Sequence, residues 1–228
     1  MKDDRYFGPG LFTFLKQLRS HNDRDWFQRN KARYEADVRD PMLRLIGDLR
    51  PGLYKISPYF VADPSPSRGS MMRIYRDIRF SSDKSPYKTN AAAQFWHEKG
   101  SDGATPGFYL HLQPQKSFFG GGLWRPEPDA LRKIRGAIAA DPKRWKQATS
   151  AKQLGAGCTT GGESLQRPPR GYDPDHPLIA DIKRKDFVVG CPLSDREVRG
   201  RGLRDLLLQR FRATWPYMHF LSRALGLP

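Results

Sequence analysis

From Leu11 the apolar positions recur at helical spacing, at Leu11, Phe14, Leu15 and Leu18. Asn22 or Asp23 then suits an N-cap, with Asp25 in the first turn. Trp26, Phe27, Tyr34 and Val38 fall broadly on one face of the helix that follows, where core packing is the plainer use for the two rings. Pro41 suits a helix start, and Leu45, Ile46, Leu49 and Leu53 continue the stripe. The pattern predicts three helices at this end of the chain. Tyr59 to Ser70, with Pro64, Pro66 and Gly69, reads as a loop.

The period then changes to two. Phe108, Leu110 and Leu112 alternate with Tyr109, His111 and Gln113, which predicts a strand with one buried face. Ala91 to Trp96 predicts another strand, and Ser117 to Trp124 a partner interrupted by Gly120, Gly121 and Gly122. Met71 to Tyr75 is expected as a short strand, and Ser81 to Pro86 as a turn or loop, since Pro86 cannot donate to a ladder. Pro128 to Ala140 reads as a helix packed through Leu131, Ile134, Ala137 and Ile138, with Trp145 on a short helix after it. Cys158 to Gly171 reads as loop or irregular strand, Pro177 to Lys183 as helix, and Phe187 to Gly190 as strand. Ser194 or Asp195 is expected to cap a long helix through Leu203, Leu206, Leu207 and Phe211, with Pro216 starting another. Strands between helical ends predict an α+β fold: a helical N-terminal region, a central mainly antiparallel sheet and C-terminal helices, in a single domain over residues 1–228.

The densest chemistry lies between Met72 and Thr89. Arg73, Arg76, Arg79, Lys84 and Lys88 surround Asp77 and Asp83, with Tyr75, Phe80 and Tyr87 interleaved. Arg forks and Lys point charges suit phosphate and carboxylate oxygens. As a strand, this segment would bury Ile74, Ile78 and Phe80 beside Arg76. As a loop, it could bring Arg76, Arg79 and Lys84 together, with Asp77 and Asp83 orienting the cations. Two readings stand: an oxyanion site, or an ion-pair network locking an irregular loop. The neighbouring cations argue against Asp77 and Asp83 as metal ligands.

The segment Arg73 to Thr89 resembles the signature of domain-of-unknown-function family 2461, of the form RxYRDxRFSxDKxPYKT. Other pieces match it in order: Phe14-Leu15, Asn22 to Phe27, Asn30-Lys31, Tyr34-Glu35, Gly107 to Leu112, Gly120 to Trp124 with Pro126, Arg170-Gly171, and Asp175 to Pro177. The resemblance spans nearly the whole chain. It implies a single domain and assigns no catalytic residue.

Around the motif, Gly121 and Gly122 are candidates for close approach of a ligand or of another backbone. Trp124 could wall a pocket, although core burial is the plainer use. His111 could act as a general base, contact phosphate, or simply be a half-exposed strand histidine. Asp175, beside His176, is expected to cap the next helix. No zinc spacing, Walker loop or nucleophile elbow occurs, so neither a metal nor a cofactor is implied and whether the chain is an enzyme stays open. Cys158 and Cys191 are expected as free thiols, with a disulfide as the alternative.

The 228 residues are 38% hydrophobic and 12% aromatic, enough for a sizeable core. No apolar run approaches the ~18 residues of a membrane span, so no membrane partner is expected. The start, Met1 to Tyr6, lacks the apolar core of a secretory signal, and cytoplasmic residence is expected. Net charge is +16 and the pI about 10.1, which favours anionic partners. The leading expectation is a cationic pocket for a small phosphate- or carboxylate-bearing ligand, with Arg73, Arg76, Asp77, Arg79, Asp83, Lys84, Tyr87, Lys88, His111, Gly121, Gly122 and Trp124 as binding residues. The alternative is a nucleic-acid-binding protein using a broad basic surface, including Lys183 to Lys185 and a helix carrying Arg196, Arg199 and Arg204. Such binding would be weak. A third reading is a protein-interaction module. The sequence leaves the oligomeric state open.

Overall fold

The computed structural model describes residues 5–100 and 105–228; Met1 to Asp4, part of the polar segment Met1 to Tyr6, lie outside the described residues. Helix α1 (Gly10–Ser20) buries Leu11, Phe14, Leu15 and Leu18, as the spacing requires. Asp23 caps α2 (Arg24–Arg29), its carboxylate accepting from the Trp26 amide at 2.7 Å. The third expected helix begins earlier than Pro41. Helix α3 (Lys31–Tyr34) runs through one π turn (Glu35–Arg39) into α4 (Asp40–Ile56), which places Pro41 in the first turn of α4.

Five strands form one antiparallel sheet: β1 (Ala91–Trp96), β2 (Gly107–Leu112), β3 (Ser117–Leu123), β4 (Thr159–Gly161) and β5 (Phe187–Leu193), in the spatial order β1-β2-β3-β5-β4. The α+β class is as expected. Strand β5 runs past Gly190 through Pro192. Strand β4 ends its pairing at Gly190, so the missing donor of Pro192 meets no β4 partner. Met71 to Tyr75 is not a strand. It makes isolated bridges only, Met71 to Ala93 and Tyr75 to Tyr87. The chain pairs briefly with the outer edge of β1 (Met72 amide to Ala92 carbonyl, 2.9 Å) and then leaves it to build the motif loop.

Helices α5 (Pro128–Ala140), α6 (Pro142–Thr149) and α7 (Ala151–Leu154) follow the sheet's central hairpin. Helix α8 (Ile179–Ile182) is shorter than expected, and Asp175 does not cap it; His176 Nδ1 instead accepts from the Leu178 amide at 3.0 Å. Ser194 caps only α9 (Asp195–Val198), in a reciprocal capping box with Glu197. The chain breaks there, and α10 (Leu203–Ala224) is a separate helix. Pro216 lies inside α10 rather than at a new start. Burial of Phe211, Thr214, Tyr217 and Met218 on both sides of it holds the helix together, overriding the proline's missing donor.

Helix α10 covers one face of the sheet. The Phe211 ring meets Phe108 at 4.8 Å, Phe119 at 5.1 Å and Phe95 at 5.4 Å. Buried side chains of the N-terminal helices, the sheet and the C-terminal helices form one apolar cluster. The opposite face carries half-buried Gln94 and Trp96 on β1, and Tyr109 and His111 on β2. Register sets Ala92 opposite His111 and Gln94 opposite Tyr109. The candidate site stands on this outer face.

Cys158 and Cys191 are not free thiols; they form a disulfide. The pairing of Thr159 with Gly190 makes Cys158 and Cys191 the next facing positions, and their Cα atoms lie 4.2 Å apart.

Candidate functional site

The central motif folds as a loop closed at its neck. Tyr75 and Tyr87 bridge, the Arg76 amide donates to the Pro86 carbonyl at 2.9 Å, and the Lys88 amide donates to the Ile74 carbonyl at 2.7 Å. Asn22 holds the neck from outside. Its side-chain oxygen accepts from the Tyr87 amide and its nitrogen donates to the Tyr87 carbonyl, both at 3.0 Å. The sequence suggested Asn22 only as a cap; an amide side chain imitating a strand neighbour leaves no local signal. The Tyr87 ring is buried against Phe27, with centroids 4.1 Å apart. Tyr87 anchors the loop rather than lining a cavity.

Within the loop, ion pairs fix the backbone. Arg76 pairs with Asp83 and donates to Ser85 Oγ at 2.7 Å and Ser81 Oγ at 3.3 Å. Bonds from Ser85 and then Arg76 hold the Asp83 carboxyl far below the usual carboxylate range. Arg79 grips Asp77 with two nitrogens, at 3.0 and 2.7 Å, and lowers that carboxyl to about 2. Lys84 donates to the Ile78 carbonyl at 3.1 Å. So Arg76, Arg79 and Lys84 each hold a different loop group instead of sharing one anion position. Phe80, which a strand here would have buried, stands 95% exposed in the loop.

Beside the neck, a cavity of about 380 Å³ opens on the outer face of the sheet. Ala92, Tyr109 and His111 form its floor; Met72, Arg76 and Asp77 form one wall; Lys88 and Asn90 complete it. Of the expected site residues, the fold brings Arg76, Asp77, Lys88 and His111 together here. Lys88 has no acidic partner among the described residues, and burial, then the Arg73 charge, pushes its ammonium below the usual lysine range. His111 is held on both sides: Nε2 lies 3.0 Å from Gln113 Oε1, Nδ1 lies 3.2 Å from the Tyr109 hydroxyl and 3.4 Å from Asn90 Nδ2, and the ring stacks on Phe118 at 5.0 Å. With Gln113 oxygen accepting, Nε2 carries the proton and Nδ1 accepts. Burial raises the Tyr109 hydroxyl above the usual tyrosine range. Asn90 and Tyr109 belong to the site and were missed, because neither stands in the charged run.

The remaining candidates lie elsewhere. Arg73 is exposed and acts on Lys88 only through its charge. The glycines serve packing: a Cβ on Gly121 would touch Met218 Sδ at 3.0 Å, and one on Gly122, at φ 126°, would fall 2.0 Å from the Phe187 carbonyl. Trp124 is neither core nor cavity wall; it is 67% exposed, with the Arg125 guanidinium 4.9 Å above its ring.

The distal basic groups are dispersed. Arg184 bonds Asp181 at 2.9 Å, the Gly161 carbonyl at 3.1 Å and Thr160 Oγ1 at 3.2 Å, so it fastens β4. Lys185 pairs with Glu163. The break between α9 and α10 puts Arg196 and Arg204 on different helices, and Arg204 pairs with Asp205. The expected single helix face of arginines does not form.

The family described as conserved hypothetical protein (DUF2461) matches residues 10–220, which includes the motif loop, its anchoring helices and the whole sheet. The chain belongs to this family. No curated protein and no solved structure matches this DUF2461 chain. Among the described residues, no group of three or more His, Cys, Asp or Glu could hold a metal ion, and no helix is long and apolar enough to cross a membrane.

Proposed function

We propose that this DUF2461 chain binds a small phosphate- or carboxylate-bearing ligand in the cavity beside Lys88. The observation that carries the reading is Lys88 itself. Lys88 lines a cavity and has no acidic partner among the described residues, while burial and the Arg73 charge disfavour its charged form. A partly desolvated cation in that position gains most from an anion that enters the cavity. Arg76 lines the same cavity, but its pairing with Asp83 offsets its charge, so Lys88 is the principal cation. Asp77 opposes an anion less than its position suggests, because Arg79 neutralises it. Asn90 and the Tyr109 hydroxyl supply neutral polar groups. A volume of about 380 Å³ lies within the ~300–1,000 Å³ typical of small-molecule sites.

The test is a thermal-shift titration with inorganic phosphate, sugar phosphates and dicarboxylates in low-chloride buffer. A ligand that binds only the folded state raises Tm. Wild type and Lys84→Ala, whose lysine lies on the Ile78 carbonyl, should shift alike, and Lys88→Met should not shift. Equal shifts in wild type and Lys88→Met would overturn the reading.

A further inference from the structure

The Lys88 cavity has a neighbour on the same face of the sheet. A second cavity, of about 340 Å³, is lined by Arg68, Ser70, Gln94 and Trp96. Met72 lines both, so the two compartments adjoin at one residue with a flexible side chain. Ala92 lies under the first compartment, and Gln94 and Trp96 are the next two residues of β1 on that face. At ~3.3 Å per residue, the floor from Ala92 to Trp96 extends about 13 Å.

The two compartments differ in chemistry. The first is lined by the Lys88 and Arg76 side chains. The second is lined by an indole side chain and a primary amide. Neither the Gln94 amide nor the Trp96 indole has a hydrogen-bond partner among the described residues, and the Gln94 nitrogen lies over Gly107, where a Cβ would be 3.6 Å away. Arg68, also without a partner there, enters the lining from a left-handed backbone at φ 61°. An aromatic face beside an unpaired amide suits a flat, polar-edged ring: the face stacks and the amide reads donors and acceptors on the edge.

We propose that the trough binds a nucleotide, with its phosphate beside Lys88 and Arg76, its heterocycle against Trp96, and the ring edge read by Gln94. The proposal rests on the anion-cavity reading and specifies its ligand class. A sugar joins the two groups across Met72. A dicarboxylate or inorganic phosphate would leave the Trp96 and Gln94 compartment unused.

The test is calorimetric titration of wild type, Trp96→Leu, Gln94→Leu and Lys88→Met with adenosine monophosphate, uridine monophosphate, ribose 5-phosphate and inorganic phosphate, after circular dichroism has checked each fold. At least one nucleotide should bind wild type about ten-fold tighter than ribose 5-phosphate, the scale of one stacked base. Trp96→Leu should remove that advantage and leave ribose 5-phosphate affinity unchanged. Gln94→Leu should change the ratio of adenine to uracil nucleotide. Lys88→Met should weaken every phosphate. If wild type binds ribose 5-phosphate and both nucleotides equally, the nucleotide proposal falls while the anion cavity stands. If no phosphate binds, or Lys88→Met binds as wild type does, both fall. Should Trp96→Leu fail to fold, Gln94→Leu decides, and an unchanged base ratio overturns the proposal.

Discussion

Arg76 and Asp83 are ion-paired across the central loop, and the same guanidinium donates to Ser81 and Ser85. Arg76 therefore does two things: it ties the loop and it faces the Lys88 cavity. Asp83 does only the first. Asp83→Ala should speed proteolysis within residues 77–85 and leave anion affinity at or above the wild-type value, since Arg76 is released. Arg76→Ala should raise proteolysis and also weaken the anion. Limited proteolysis run beside titration separates the roles; equal loss of affinity in both variants would mean that loop order alone governs binding. The Asp83 carboxyl is depressed in the folded state, so its contribution is complete above the usual carboxylate value of 3.8 and is lost as pH falls through the lower folded value. Loop protection should hold from neutrality to about pH 4 and fail only in stronger acid.

Lys88 gives a pH signature at the other end of the scale. Its folded pKa lies below 10.5 because burial and Arg73 disfavour the charge. Between that lowered value and 10.5 the unfolded chain binds the extra proton, so this residue's cost to stability is relieved as pH rises through the window. Anion affinity runs the opposite way and should fall as pH rises through the lowered value. Lys88→Arg should keep binding and flatten that alkaline loss. A titration series from pH 7 upward checks it, and the same alkaline loss in Lys88→Arg would point to another group.

The disulfide closes a segment that includes β4, α8 and the loops between them. Its two cysteines are 33 residues apart. Restricting an unfolded loop of that length stabilises by about 3–4 kcal/mol in the chain-entropy account. Denaturant unfolding with and without reductant should show a loss of that order, reproduced by a double Cys158→Ser, Cys191→Ala variant with reductant then having no further effect. The Arg210 guanidinium, 3.3 Å from Cys158 Sγ, would stabilise a thiolate there after reduction. A disulfide is also more usual in oxidising compartments than in the cytoplasm.

Two glycines on β3 and β5 should respond very unequally to substitution. Gly122→Ala places a Cβ 2.0 Å from the Phe187 carbonyl in a left-handed backbone, and should destabilise by about 2–4 kcal/mol. Gly190→Ala meets nothing within 4 Å, on a strand without positive φ, and should change stability by no more than about 1 kcal/mol. Chemical denaturation of both variants measures this; similar losses would show that sheet backbone freedom, not the close approach to β5, is what Gly122 supplies.

The sequence by itself determined most of the elements and their order. Periods of 3.6 and 2 report which side chains meet a core, and Leu11 to Leu18, Phe108 to Leu112 and Pro128 to Ala140 behave as their spacing requires. It also located the charged loop, because charges of both signs at such density are visible without a fold. Tertiary structure decided what those charges do. Which cations are spent depends on loop closure: Asp77 and Asp83 consume Arg79 and Arg76, whereas Lys88, past the neck, pairs with no acid among the described residues. Which neutral residues join them depends on strand register, since Ala92, His111, Gln94 and Tyr109 meet only when β1 pairs with β2. Cys158 and Cys191 likewise become partners only because β4 pairs with β5. Register and loop closure are long-range contacts, the first set by strand pairing and the second by Asn22 and Phe27 at the loop neck, and local patterns in one sequence carry no trace of them.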